Sequence, residues 1–431
     1  MPFKKFEIWV ICIFLVINIA SFISYMFEFR IMGQNVLNIR VWAYLMLIVF
    51  LFTDRRLFVS KSMIIMYSYF LIYLFFEFVG HYDLQAGRPS RYAWLIGQWY
   101  LLIVIALAER IHRSEDISAI KIFLRVIVIT IFIASIASIV TTIRFPHAVR
   151  GAAIAWLADE TSIYRKFGLG NLDMFSGLPF SLAVFVFQYK QTRRTSLMQS
   201  LGWILLIGTV VFCVYRGAIV APILVSIVIV FFAILGRERF KTNRILIMTI
   251  ILVLMLIPRS SIGDTFIRVS QQIQNREIRT KFSDIGTALT SGMDLDVKET
   301  SMTTVEGRFS RIPMAIDLFL QSPIIGIGKH NSVTGAVEHV FWFNLLAQFG
   351  IIGALPFIWL LFFQIKRNLP KYSEEYAYYY LVTMIAFISL GFIKVLTGWV
   401  MFLIIFVFVP NMYYLANPSD KIMKVKMSSI L

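Results

Sequence analysis

Residues 120–143 read IKIFLRVIVITIFIASIASIVTTI. A helix of about 20 apolar residues crosses a hydrocarbon layer about 30 Å thick, and this run exceeds that length. Eleven more apolar runs accompany it, at 6–27, 36–53, 62–80, 92–109, 171–189, 197–214, 217–235, 244–258, 340–365, 376–394 and 397–415. The 244–258 run is short and ends at Pro258; the 376–415 block holds two spans split by a tight hairpin near Lys394–Trp399. The chain of 431 residues is 59% hydrophobic with a mean hydropathy of +0.77, well above a soluble domain. The fold class is therefore all-α integral membrane, with about twelve transmembrane helices.

The segments between the runs fix the alternation. With the N-terminus inside, the even-numbered loops TDRRLFVSK, ERIHRSEDISAIK, YKQTRRTS, GRERFKTNR and KRNLPKYSEE are cytoplasmic, as is the tail DKIMKVK. With Lys4 and Lys5 they hold 21 of the 41 Lys and Arg residues, the excess that orients membrane helices. One missed span would invert every later loop. The stretch MPFKKFEIWVICIFLVINIASF carries too long an apolar run for a signal peptide and no A-x-A-like cleavage site, so it is read as a retained first span. The organisation is nine helices over 1–258, a large outer loop with short helices over 259–339, and three helices with a cytoplasmic tail over 340–431.

The net charge of +17 would point a soluble protein toward nucleic acid; here topology accounts for half of the basic residues, and no nucleic-acid partner is expected. The remainder lies mostly outside. Arg144, Arg150, Arg165 and Lys166 sit in the loop 144–170, nine more basic residues in 259–339, and Arg216 where two spans meet. Arginines in surplus of topology suit an anionic ligand, since the guanidinium fork grips phosphoryl oxygens two at a time. Each has a plainer reading: Arg216 snorkels to the interface, and Arg308 and Arg311 of EGRFSR belong to a solvated loop. Three residues apart, those two share a helical face, although Pro313 disfavours helix at Ile312. Within 259–339, FIRVSQQIQNREIRTKFSDIGTAL has the pattern of one amphipathic helix, and RFSRIPMAIDLFLQ has helical spacing before the breaker QSPIIGIG.

The second informative stretch is VEHVFWFNLLAQFGIIG, residues 337–353. His339 titrates near neutrality, which suits proton abstraction, and equally it is a polar cap on an apolar helix. Glu338 and His330 are its neighbouring rivals, whereas His112 falls on the cytoplasmic side. Gly350 and Gly353 read as small residues for close helix packing, and Lys394 as a snorkelling lysine. Cys12 and Cys213 lie in apolar runs with no metal or disulfide pattern. No nucleotide-binding or metalloenzyme motif is present, so no cofactor or metal is expected.

Four segments in order, RKFGLGNLDMFSGLPF, VYRGAIVAPIL, EGRFSRIPMAIDLFLQSPIIGIG and HVFWFNLLAQFGIIGALPF, together resemble the bacterial O-antigen polymerase and O-antigen ligase superfamily. The resemblance implies a GT-C-like glycosyltransferase of the bacterial inner membrane, with cytoplasmic termini and a periplasmic active site. It implies a donor and an acceptor among undecaprenyl-pyrophosphate-linked oligosaccharides, membrane lipids around it, and a chain-length regulator as partner. Carried to matching positions, Arg165, Arg216, Arg308 and Arg311 bind pyrophosphate and His339 sits by the acceptor, with Glu338 beside it. Arg216, Arg308 and His339 are the catalytic candidates. Ligases of the superfamily place Asn soon after the histidine; here Val340 follows His339 and Asn344 comes five positions on. That departure favours a repeat-unit polymerase over a ligase. The rivals from other classes are a lipid-linked oligosaccharide transporter and a non-catalytic lipid-binding subunit. The one-sided outer loop and the lack of an evident duplication weigh against the transporter.

Overall fold

The structure is a computed structural model. It describes residues 2–27, 30–31, 34–35, 38–79, 90–114, 116–145, 148, 163–170, 172–191, 220–242, 259–273, 279–280, 282–283, 286–287, 311–327, 340–392, 394, 396 and 398–416. The expected spans 197–214 and 244–258 lie outside these residues.

The architecture is helical, with one two-residue hairpin, β1 (Arg30–Ile31) and β2 (Gln34–Asn35). Helices α1 (Lys5–Ile19), α2 (Ile23–Met26), α3 (Ile39–Thr53), α4 (Lys61–Val79), α5 (Ser90–Ser114) and α6 (Ile117–Arg144) occupy the first five apolar runs. Then come α7 (Leu172–Gly177), which passes through a 3-10 turn into α8 (Leu182–Gln191), α9 (Val220–Thr242), α10 (Arg259–Gln272) and α11 (Arg311–Gln321). The last are α12 (Phe341–Asn368), α13 (Glu374–Leu390) and α14 (Trp399–Leu403), which continues through a π-helical turn to Asn411. Their starts are set locally by side chains that accept from orphan backbone N–H groups. Asn38 accepts from Arg40, Asp116 from Ala119 and Ser373 from Tyr376.

Helix α6 shows what solvent the fold is built for. Ile122, Ile129, Ile133, Ile136, Val140 and Ile143 stand exposed at spacings of three, four and seven. The opposite face buries Ala134, Ser135, Ser138, Thr141 and Thr142. Apolar outside and small or hydroxylated inside inverts a water-soluble helix and suits one that packs in lipid. Among the described residues two helices, Ile117–Arg144 and Phe341–Lys371, are by length and composition apolar enough to cross a membrane. The second of these is not a single rod, as described below.

The basic loops gather at one end. Arg110, at the end of α5, meets Glu7 of α1 through Nε–Oε1 at 2.6 Å and Nη2–Oε2 at 3.0 Å, and its guanidinium lies over the Phe3 ring at 4.4 Å. Arg113 pairs with Asp54 at 3.0 Å, and Glu109 joins Arg367 at the end of α12 and the Ser62 hydroxyl at the start of α4. His112, beyond the apolar part of α5, accepts at Nδ1 from Lys371. Burial first, then Arg367, Lys371 and Arg113, lower its pKa to about 3, so the ring stays neutral. Lys190 ties in α8 and α9: its Nζ donates to the carbonyls of Ala233 and Ile234 at 3.0 and 3.2 Å and to Tyr379 of α13 at 2.8 Å. Those carbonyls are the last turn before Gly236, whose φ of +71° ends the helix there. The segments 53–61, 109–121, 189–190, 236 and 366–375 thus share one end, as the alternation of loops requires.

The Glu7–Arg110 pair is fully buried, with side chains 0% and 1% exposed. Removing one partner strands a charge, at a cost of about 3–5 kcal/mol. Arg110→Met is expected to lower the thermal unfolding midpoint in detergent sharply. Adding Glu7→Leu should recover most of the loss; a double variant as unstable as the single would show that packing, not the pair, matters.

Candidate functional site

The far end carries the rest of the sequence signals. Residues 165–170, RKFGLG, lie along the last turns of α6 because that helix offers only small side chains there. Thr141 donates to the Phe167 carbonyl at 2.7 Å and Ser138 accepts from the Gly170 N–H at 2.8 Å. Gly168 takes φ +99°, and a Cβ there would stand 3.2 Å from that of Ala137. The loop aims Arg165 at Tyr25 of α2: Nη1 donates to the phenol oxygen at 2.6 Å, and the guanidinium lies 5.0 Å from the ring. Among the described residues its buried Nε has no hydrogen-bond partner. Tyr25 went unnoticed in the sequence, where nothing distinguishes it from other aromatics at a span's end. Lys394 does not snorkel. It is half-buried and donates to the Ser176 hydroxyl of α7.

Helix α12 breaks at Gly350, which has φ +61° and ψ −166°. The Phe341 and Phe357 rings stand 5.4 Å apart, and Trp342 and Phe357 5.8 Å. Sixteen residues of unbroken helix would separate them by about 24 Å. The segment 341–349 is therefore a half-helix folded back beside the one that follows, and the helix that runs on to the basic end is Ile351–Asn368. This corrects two sequence expectations: 340–365 is not one straight span, and Gly350 does not serve ordinary helix packing.

A broken helix leaves backbone groups without partners, and in lipid such groups must be met by other protein. The turn 322–327, SPIIGI, meets them. Ile351 N–H donates to the Pro323 carbonyl at 2.9 Å, Ile352 N–H to Ile324 at 3.1 Å, and the Ala347 carbonyl accepts from Ile327 N–H at 3.0 Å. Gly326, at φ +72°, faces Gly350 so closely that a Cβ on it would lie 2.3 Å from the Gln348 carbonyl oxygen. Each glycine exists to let the other backbone through. The QSPIIGIG and FGIIG motifs are two halves of one joint.

That joint sets the strands of the site side by side. Arg311 and Ile312 are helical in α11, so Pro313 causes no break there. Ala315, one turn after Arg311, packs with Val340, and Ile312, Met314, Leu318 and Phe343 close over them. Trp342 fixes the half-helix to the end of α13, its backbone N–H donating to the Gly391 carbonyl at 3.2 Å and its Nε1 to Ile388 at 2.7 Å. The outward side of α11 and the turn, with Ile316, Leu320, Ile324 and Ile325, is exposed, and the hydrogen bonds of the joint tie the turn to exposed Ile351 and Ile352.

Of the candidate residues, Arg165 is placed against Tyr25 and Arg311 at the first position of α11. Arg216, Arg308, Glu338 and His339 lie outside the described residues. In the preceding outer segment, the single amphipathic helix expected over 266–289 is corrected. Helix α10 ends at Gln272, and Phe282 returns to within 5.5 Å of the Phe266 ring. Gly286 permits the return, because a Cβ there would meet the Ile267 side chain at 2.5 Å and the Gly263 carbonyl at 2.7 Å.

Residues 201–358 match the model of the O-antigen ligase family. Over that stretch the chain is similar to the O-antigen ligase family. A search of curated proteins returns no match. The matched segment holds Arg216, Arg308, Arg311, Glu338 and His339 together with the glycine joint, whereas Arg165 precedes it.

Proposed function

We propose that this protein is a GT-C-type glycosyltransferase of the bacterial inner membrane that joins undecaprenyl-pyrophosphate-linked oligosaccharide repeat units at the periplasmic face. About twelve spans with both termini in the cytoplasm fit the gathering of the basic loops at one end. The observation that carries the reading is the bare start of the half-helix 341–349, where Val340 brings no side-chain cap and packs on Ala315 of α11. N-terminal N–H groups and the helix dipole favour an anion. In sequence, Glu338 and His339 stand at that start, and Arg308 and Arg311 lead into α11. Arg165 and Arg216 complete the cationic set.

The chemistry follows from the leaving group. An acceptor sugar hydroxyl attacks the anomeric carbon of the donor, and the bond from that carbon to the pyrophosphate oxygen breaks. The bonding pair leaves with undecaprenyl pyrophosphate, whose growing charge the guanidinium groups offset. The hydroxyl proton passes to His339 as general base, with Glu338 next in line.

The ligase reading, transfer to lipid A-core, is favoured by the description of the matched family. Val340 in place of Asn after His339 favours polymerisation. Purified protein given lipid-linked repeat units is expected to build a ladder of products on a gel without lipid A-core. Transfer seen only when core is supplied would make it a ligase, and no transfer in either case would remove the enzyme reading.

A further inference from the structure

The half-helix 341–349 carries a pair of polar side chains that packing does not explain. Asn344 is 0% exposed and Gln348 8%. Four residues apart, they share one face. Among the described residues, neither Asn344 amide atom nor Gln348 Nε2 has a hydrogen-bond partner. A buried amide without partners is costly, and leucine at either position would remove that cost. The rest of this short helix is apolar and well packed: Phe341, Trp342, Leu345, Ala347 and Phe349 are all buried. Polar groups kept in such a place are poised for something that arrives.

The amide identifies the class of visitor. A carboxamide offers two donors and an acceptor with no charge. That set suits neutral groups that both donate and accept, namely sugar hydroxyls or an acetamido substituent. A phosphate calls for donors alone. The half-helix also follows His339 directly, so the amides begin five residues beyond the candidate base.

We propose that Asn344 and Gln348 form a carbohydrate subsite that binds hydroxyl or acetamido groups of the saccharide being transferred or extended. This rests on the glycosyltransferase reading above, and the test separates the two. Two probes are compared for binding to purified protein in detergent: undecaprenyl pyrophosphate bare, and the same lipid bearing the host's repeat unit. Asn344→Leu is expected to weaken binding of the sugar-bearing lipid about tenfold, the worth of one good hydrogen bond, and to leave the bare lipid unchanged. Its melting temperature should hold or rise, since a buried unpaired amide has gone. Gln348→Leu should act in the same direction. Equal binding of both probes by wild type and variants overturns the subsite, as does loss of both probes together, which would mark a structural role. Failure of the wild-type protein to bind either lipid would instead remove the glycosyltransferase reading.

Discussion

Arg308→Ala is expected to reduce transfer of lipid-linked repeat units by about a hundred- to a thousand-fold, the usual cost of losing one preorganised donor to a developing negative charge. The reason is the nature of the leaving group. Pyrophosphate departs readily once its charge is met, so the proposed chemistry is electrostatic, and a guanidinium meets that charge with two N–H donors at once. Arg308→Lys retains the charge and loses the fork, so it should recover only part of the rate. Arg216→Ala should behave like Arg308→Ala. His339→Ala removes a proton acceptor, with a loss of about a hundred- to ten-thousand-fold expected. The measurement is turnover by purified protein, with membrane insertion and expression checked alongside. Long-chain product at the wild-type rate from the arginine variants would remove the pyrophosphate site from this end of the fold. Full activity of His339→Ala alone would shift the base to Glu338.

Gly350→Ala is expected to break the fold locally and abolish activity with it. The backbone there sits at φ +61° and ψ −166°, a region essentially closed to any residue with a Cβ. The added carbon would lie 2.4 Å from the Ile324 carbonyl oxygen and 2.5 Å from the Gly326 nitrogen. Both are backbone atoms held in the joint, so neither can rotate aside. Strain alone costs about 1–3 kcal/mol, and displacing the turn would strand the N–H groups of Ile351 and Ile352. Gly326→Ala meets the same obstacle from the other side. Ile351→Ala is the control, because that side chain is 51% exposed on the lipid-facing side and its removal leaves the joint intact. Protease protection of the 311–350 region and thermal unfolding report the result. A Gly350→Ala protein with wild-type protection and turnover would show that the helix does not break where it is described.

Much of the scaffold was legible because lipid imposes a simple rule: each crossing needs a long apolar run and each inner turn gathers lysine and arginine. The runs at 36–53, 62–80, 120–143 and 376–394 reappear as α3, α4, α6 and α13, and Gly236 ends a helix where the 217–235 run stops. The signature of α11 was readable from the spacing of Ile312, Ala315, Ile316 and Phe319. Less was readable where backbone, not side chain, decides. Apolar periodicity runs unbroken through Phe349, Gly350 and Ile351, so nothing in hydropathy announces a fold-back. The partners that Arg165, Lys394 and Lys190 find, namely Tyr25, Ser176 and a pair of orphan carbonyls, lie between about 43 and 218 residues away in sequence.

The sequence by itself determined a helical, strongly apolar chain with basic segments between its runs, and it supplied the motifs that resemble the O-antigen polymerase and ligase superfamily. These follow from local composition, since transfer into lipid and charge asymmetry act residue by residue. Only the tertiary structure decided that QSPIIGIG and FGIIG lock together, that the chain doubles back at Gly350, and that among the described residues the buried amides of Asn344 and Gln348 keep unpartnered polar atoms. Those outcomes depend on backbone groups meeting across long stretches of chain, where a hydrogen bond left unmade in lipid costs more than the bend that makes it.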